Sequence, residues 1–368
     1  MEDTKYMLYA LQLAKKGQGF VNPNPMVGAL LVKNNRIIGQ GYHENYGGFH
    51  AERNALESCT ESPEGSTLYV TLEPCCHFGK TPPCTDAILQ NGIRKVVIGS
   101  RDPNPMVAGK GIELLRKGGL EVVESVLKTE CDKLNEVFFH FIQNKTPFVV
   151  MKYAMTMDGK TAAYTGKSKW ITGDKARHNV HQNRHRYSAI MTGINTVLKD
   201  DPLLTCRVEN GRNPTRIICD TQLRTPLESQ ILITAKDIPT IIATSCTDLN
   251  KHKPYTAAGC RILTVSKKDG HLNLLELMNK FGEEKIDSIL LESGGILNWS
   301  ALQNGIVNKI QAYIAPKLLG GINSKTPVSG IGAESPDYAF FLTNSVITCL
   351  GEDILIESEV IRNVHGNH

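Results

Sequence analysis

A chain of 368 residues with 41% hydrophobic and 21% charged side chains has the length and composition of a globular protein with two domains, each burying its own core. No apolar run approaches the ~20 residues needed to span a bilayer, so a membrane-spanning helix is not expected. The formal charge of +4 is unevenly placed, because residues 1–145 carry 16 Lys+Arg against 16 Asp+Glu. Residues 152–216 hold 12 basic and 5 acidic side chains, together with His178, His181 and His185, and so suit anionic ligands. Ten cysteines without a spacing framework point to reduced thiols in a cytoplasm.

The opening "MEDTKYMLYALQLAKKG" reads as an amphipathic helix capped at Asp3 or Thr4 and stopped at Gly17. It has neither a basic lead nor a small-residue cleavage site, so a secretory signal is not expected. "VGALLVKN" and "RIIGQGY" read as strands joined through Asn34-Asn35, a hairpin turn pair. A helix from His50 to Cys59 follows, then a strand "STLYVTLEP" and a helix "CTDAILQNG" stopped by Gly92. A strand "KVVIGS", a helix "GKGIELLRKGG", a strand "LEVVES" and one helix ending near Asn144 complete this part. Strands alternating with helices predict a layered α/β sheet. The polar "QNKTPF" at 143–148 contains Pro147 and precedes a new apolar run, which places a domain boundary there and gives domains 1–145 and 146–368.

The second domain is again α/β. It opens with "FVVMKYAMTMDGKTAA", which begins as a strand, continues with a helix around 174–187, and then carries apolar strands "AIMTGI", "TRIICD", "TIIATS", "RILTVS", "SILLESGG" and "IQAYIAP". Helices are expected near 272–281 and 297–305, and "VITCLGEDILIESEV" reads as a late hairpin.

Chemistry concentrates first in "TLEPCCHFGKTPPC", where Cys75, Cys76 and Cys84 fall within ten positions. His50-Ala51-Glu52 opens a helix, Cys75 follows a strand end, and Cys84 opens another helix, so these groups can converge. Thiolate and imidazole suit Zn²⁺, and a set of three protein ligands keeps a position open for water. Adjacent Cys75 and Cys76 cannot readily serve one tetrahedral ion, since consecutive side chains at a strand end point apart. A helix N-terminus stabilises a thiolate, which favours Cys84. Zinc lowers the pKa of its water towards ~7, and a carboxylate at Glu52 can shuttle protons there. A closed structural site would instead need Cys76 or His77 as a fourth ligand.

H-x-E followed by a proline-cysteine pair is the pattern of zinc nucleobase deaminases, although the usual P-C-x-x-C spacing is absent here. "HAE", "TLEPCCHFGKTPPC" and "RDPNPMVAGKGI" resemble the deaminase half of the bifunctional riboflavin-biosynthesis deaminase/reductase family, with Cys76 where that family has a serine. The resemblance implies a cytidine-deaminase-like three-layer domain, with His50, Cys75 and Cys84 as zinc ligands and Glu52 as proton shuttle. "NPNPMVGA" also matches a deaminase element: its prolines hold a loop from which Asn24 can face a pyrimidine. His43, Lys80, Asp102 and Asn104 lie on segments that can line the same pocket, and Lys80 would suit a phosphate.

"KYAMTMDGKTA", "GKSKWITG", "NTVLKDDPLLTCR" and "LLESGG" resemble the reductase half of the same family, which has a dihydrofolate-reductase-like α/β fold. A strand–Gly–Gly–helix junction is itself a phosphate-binding geometry. The resemblance puts Gly294, Gly295, Ile296, Leu297, Asn298, Trp299 and Ser300 at NADPH, mostly through backbone, with Ala154, Trp170, Thr196 and Asp200 at further cofactor positions. Ser168, Arg184, Leu204, Arg207 and Glu292 match substrate positions, and Lys152 in the opening strand can face the ribose. The implied substrate is a phosphorylated aminopyrimidine, deaminated with Zn²⁺ and then reduced with NADPH from ribosyl to ribityl. Nucleic acid is not expected as a partner, because the first domain carries no net charge; self-association is left open.

Overall fold

The protein is described by a computed structural model covering residues 2–78, 82–105 and 107–361. The chain divides into two compact units between Lys145 and Thr146. The break has a local cause: Lys145 caps a helix with φ of +58°, a left-handed conformation that stops the helix, and Pro147 follows two residues on.

In the first unit, α1 (Glu2–Ala14) leads to β1 (Gly28–Lys33) and β2 (Arg36–Tyr42). Asn34 and Asn35 have φ of 50° and 59°, and Lys33 pairs with Arg36, so the expected turn is a two-residue hairpin whose twist suits the strands. Then come α2 (Ala51–Glu57), β3 (Thr67–Leu72), α3 (Cys84–Gln90), β4 (Lys95–Ser100), α4 (Lys110–Lys117) and β5 (Glu121–Val123). The sheet order is β2-β1-β3-β4-β5, with β3, β4 and β5 parallel.

Every central strand is apolar on both faces, as a sheet covered on both sides requires. Ala29, Leu31, Leu68, Val70, Val96 and Ile98 pack with α2, α3 and α4. Leu30, Val32, Tyr69 and Val97 pack with α1 on the other face. The single helix expected to end near Asn144 is instead two, α5 (Lys128–Leu134) and α6 (Glu136–Asn144). Asn135 separates them and is 2% exposed. Its Oδ1 accepts from the Met26 N–H at 2.8 Å and its Nδ2 donates to the Met26 carbonyl at 2.9 Å, which fastens the loop before β1.

In the second unit, β6 (Phe148–Thr156), α7 (Asp174–Arg186), β7 (Ala189–Gly193), α8 (Ile194–Asp200) and β8 (Thr215–Cys219) are followed by α9 (Gln230–Ile233), β9 (Thr240–Thr244), α10 (Leu249–Ala257) and β10 (Arg261–Thr264). A small hairpin, β11 (Lys267–Lys268) with β12 (His271–Leu272), precedes α11 (Leu274–Glu283), β13 (Ser288–Leu291), α12 (Gly295–Gln303) and β14 (Val307–Ala315). A final hairpin is formed by β15 (Leu342–Leu350) and β16 (Asp353–Val360). The main sheet runs β10-β9-β8-β7-β13-β6-β14-β16-β15, parallel from β10 to β14.

Parallel strands put all their carboxyl ends on one edge, where ligand groups of open α/β sheets collect. Helices α8, α9 and α10 were not expected. Helix α8 begins one residue after β7 with no turn residue between them, and α10 contains Pro254.

Replacing Asn135 by alanine removes both bonds to Met26 and leaves its half-buried N–H and C=O without these partners. The expected cost is about 2 kcal/mol, seen as a lowered urea midpoint for the full chain.

Candidate active sites

Each donor of the first site stands at the end of a regular element. His50 is the extended N-cap residue of α2, with φ −74° and ψ 160°. Cys75 lies three residues past β3, and Cys84 is the first residue of α3. His50 Nδ1 lies 3.5 Å from Cys75 Sγ and 3.4 Å from Cys84 Sγ. Tetrahedral zinc with ordinary Zn–N and Zn–S bonds requires N···S edges of about 3.6 Å, so the three donors fit the ion. All three lie within 4.8 Å of one another, and neither Cys76 nor His77 joins the group.

The Cys75 sulfur accepts from the Cys84 N–H at 3.4 Å. Its hydrogen bond with the Cys84 thiol, reinforced by His50, outweighs burial and holds the Cys75 thiol down to about 4. The same shared hydrogen bond, with burial, pushes Cys84 well above its ordinary range.

Glu52, in the first turn of α2, is 3% exposed. Burial raises its pKa, with the His50 charge opposing. It lines a cavity of about 310 Å³ together with His50, Cys75, Asn24, His43 and Asp102. The Phe49 carbonyl, 2.9 Å from His43 Nδ1, can only accept, so Nδ1 carries the proton. His43 Nε2 then accepts from Asn24 Nδ2 at 3.1 Å, leaving the Asn24 carbonyl oxygen for a ligand. Burial lifts the Asp102 carboxyl to about 6. Lys80 lies outside the described residues.

One buried group was missed. Glu73 is 4% exposed and accepts from the Asp102, Gly109 and Ile112 N–H groups at 3.3, 3.0 and 3.3 Å. It ties the strand end that carries Cys75 to the segment that carries Asp102 and Asn104. The available signal was an acidic residue between a buried strand and a proline.

The second unit brings Glu292, Arg184 and Lys152 together at the carboxyl edge of its sheet. Arg184 donates to the Glu292 carboxylate from Nε at 2.8 Å and from Nη2 at 3.0 Å, and Lys152 Nζ lies 3.4 Å away. Burial would raise Glu292, but the two cations overturn it and hold the carboxyl near 2. Arg184 also donates to the Thr205 carbonyl at 3.0 Å, and Arg216 donates to the Leu203 carbonyl at 3.2 Å. Leu204 between them has φ of +53° and is 5% exposed in an apolar cluster, so its side chain is core and only its backbone is left to a ligand. Arg207 is exposed and has no ion-pair or hydrogen-bond partner among the described residues. Ser168 is half-buried.

A cavity of about 500 Å³ is lined by Thr196, Gly294, Gly295, Ile296, Leu297 and Ser300, among others. A Cβ on Gly294 would meet no atom within 4 Å and would stand in open space, so its absence leaves a cradle at the head of α12. A Cβ on Gly295 would lie 2.5 Å from Ser329 Oγ, so this glycine is required by the neighbouring loop. The cradle and the helix N–H groups suit the diphosphate of a dinucleotide.

Five other expected cofactor positions, Asn298, Trp299, Asp200, Ala154 and Trp170, do not line this cavity. Asn298 is fully buried and its amide donates to the Ser293 and Pro327 carbonyls. Trp299 packs edge-on against Phe340. Asp200 is the exposed last residue of α8, and Ala154 on β6 packs against the α7 cluster. Trp170 is 62% exposed, with the Arg177 guanidinium 4.7 Å from its ring centroid, so it is not a core aromatic.

Residues 1–100 match the cytidine and deoxycytidylate deaminase zinc-binding region, and residues 147–356 match the RibD C-terminal domain. The riboflavin biosynthesis protein RibD of Actinobacillus pleuropneumoniae is 54% identical over 361 residues, covering 98% of this chain and 96% of its own. RibD of Escherichia coli (strain K12) is 40% identical over 334 residues, covering 87% and 89%. The solved diaminohydroxyphosphoribosylaminopyrimidine deaminase/5-amino-6-(5-phosphoribosylamino)uracil reductase of Thermotoga maritima gives a TM-score of 0.86 at 39% identity, over 98% of this chain and 99% of that one. Acinetobacter baumannii RibD, form 1, gives 0.88 at 33% identity over 98% and 99%.

Metal analysis of the full chain is expected to find one zinc per molecule. Cys84→Ser and His50→Ala should lose it, whereas Cys76→Ser should retain it. Zinc lost with Cys76 would contradict the three-donor assignment.

Proposed function

The chain belongs to the RibD family of riboflavin-biosynthesis proteins, and on that premise we propose how its residues divide two reactions between its two units. It is a bifunctional enzyme, a zinc-dependent deaminase and an NADPH-dependent reductase, with cytidine-deaminase-like and dihydrofolate-reductase-like α/β folds. We assign deamination to residues 1–145 and reduction to residues 146–368.

The deaminase substrate in this reading is 2,5-diamino-6-(5-phosphoribosylamino)pyrimidin-4-one, which loses its 2-amino group as ammonia. Zinc held by His50, Cys75 and Cys84 supplies Lewis-acid activation of water. Asn24, held by His43, presents a carbonyl oxygen that can orient the pyrimidine. Glu52 takes one proton of the attacking water and passes it to the ring nitrogen, then takes the remaining hydroxyl proton and delivers it to the departing amine, which leaves as ammonia while the carbonyl forms. A buried carboxyl with a raised pKa can hold that proton near neutral pH. The observation that carries this reading is Glu52 itself, buried in the cavity next to the donor triangle, where a purely structural zinc site has no use for a carboxylate.

In the second unit, NADPH supplies hydride. The α12 head and Thr196 hold the cofactor, while the Arg184–Glu292–Lys152 cluster orients the ribosyl chain and the unpaired Arg207 takes its phosphate. The acceptor would be C1′ of the ring-opened imine, because the closed sugar offers no electrophilic C=N. The protein's contribution there is alignment. Free cysteines at all ten positions agree with a reducing cytoplasm. No helix among the described residues is long and apolar enough to cross a membrane.

With the aminopyrimidine ribotide as substrate, Glu52→Gln is expected to keep its zinc and to lose ammonia release by about 10²- to 10⁴-fold. An unchanged rate would overturn the shuttle. Arg184→Met should lower kcat/KM for NADPH consumption by about 10-fold or more and leave ammonia release untouched.

A further inference from the structure

We infer that Arg224 selects the cofactor, by pairing its guanidinium with the 2′-phosphate that distinguishes NADPH from NADH. This rests on the reading of the second unit as a dinucleotide reductase, and it names a residue that neither motif nor resemblance singled out.

The first argument is charge. The 500 Å³ cavity is lined by Arg224, His271 and Lys325, and no aspartate or glutamate lines it. A pocket built for the unphosphorylated ribose commonly presents a carboxylate to the 2′-hydroxyl, and a pocket for the 2′-phosphate presents an arginine. A guanidinium fork matches phosphate oxygens two at a time, which an ammonium cannot do.

The second argument is position along the sheet. Glu292 and Lys152, the residues we assign to the reacting end, stand just past β13 and on β6. The diphosphate cradle at Gly294 follows β13 directly. From β13 the sheet continues through β7 to β8, away from β6. Arg224 lies in the turn just beyond β8, two strand spacings or about 10 Å from β13. A dinucleotide seated by its diphosphate at the head of α12, with its nicotinamide towards Glu292, would bring its adenosine ribose to this side of the sheet.

The third argument is that the turn is built from beneath. Asp220, fully buried, accepts from the Arg224 N–H at 2.6 Å and from the Thr225 N–H and hydroxyl at 2.8 Å each. The Tyr255 hydroxyl lies 3.0 Å from both the Leu223 and Thr225 carbonyls. Leu223 adopts a left-handed φ of 55° and is buried. The backbone groups around Arg224 are thus occupied by the scaffold. Its guanidinium has no partner among the described residues, so the turn offers a fixed, unspent cation to the cavity. Lys325 differs: it belongs to the loop that closes on the head of α12 through the Ser329 N–H and the Gly295 carbonyl, the diphosphate side.

The test is equilibrium titration of the full-length protein with NADPH and, separately, with NADH, followed by cofactor fluorescence. Arg224→Gln should raise the Kd for NADPH about 10- to 100-fold and change that for NADH less than about twofold. Arg224→Lys should fall between, keeping charge and losing the fork. Lys325→Met should leave the ratio of the two constants intact. Ammonia release should be normal in every variant and so report a folded chain. Equal weakening of both cofactors in Arg224→Gln, or a ratio that collapses only in Lys325→Met, overturns the assignment. Wild-type protein that binds neither dinucleotide removes the reductase reading itself, an outcome distinct from a failure of Arg224.

Discussion

The first unit is organised by one requirement: an imidazole and two thiol sulfurs, taken from three separate elements, must meet within a few ångströms. Helix and strand termini are the last places where backbone position is still set by a packed core. Seating His50, Cys75 and Cys84 there transfers the rigidity of the sheet to the donors. The two apolar faces of that sheet, the hairpin at Asn34-Asn35 and the Asn135 fastening are all means to keep the termini in register. Glu73 extends the same logic one layer out. Its carboxylate gathers three backbone N–H groups, so the strand end that bears a metal ligand and the loop that bears pocket residues move as one.

The second unit solves a different problem, holding a carboxylate in place without letting it take up a proton. Glu292 is 11% exposed at its side chain, and burial alone would favour the neutral acid. Arg184 and Lys152 reverse the preference so far that the group stays ionised down to about pH 2. Its orientation is therefore constant across the range in which an enzyme works. The neighbouring stretch at Leu203–Thr205 is held by two guanidinium groups, those of Arg216 and Arg184, which explains why a buried leucine there keeps a left-handed backbone.

Much of this was legible in the chain. Alternating apolar strands and capped helices gave the layered architecture, and the positions of His50, Glu52, Cys75 and Cys84 at element ends followed from punctuation by proline and by polar caps. What escaped has physical reasons. Helix α8 grows out of β7 without a polar cap, and α10, although capped by Asp248 and followed by Gly259, contains a proline that reads as a break. Asn135 reads as one polar residue within a helical period, yet it breaks the helix because its amide is claimed by a loop more than a hundred residues away. Glu73 and Asp220 are alike: a buried acid that gathers backbone N–H groups shows no periodicity, and its role exists only once distant segments are side by side. Asn298 and Trp299 fall inside the glycine-turn motif, yet their side chains turn into the scaffold and leave recognition to their neighbours.

The paired glycines at the head of α12 carry a separate lesson. They sit next to each other, but one is small because a neighbouring loop leaves no room, while the other faces open space at the head of the cavity, where the proposed reading seats a guest molecule. Selection therefore acts on the two through different currencies, chain assembly at 295 and occupancy at 294. A methyl group added at 294 should yield a well-folded protein that refuses its guest, whereas the same methyl at 295 strikes the architecture itself. Adjacent identical letters can thus record unrelated histories of constraint, and only the space around each tells them apart.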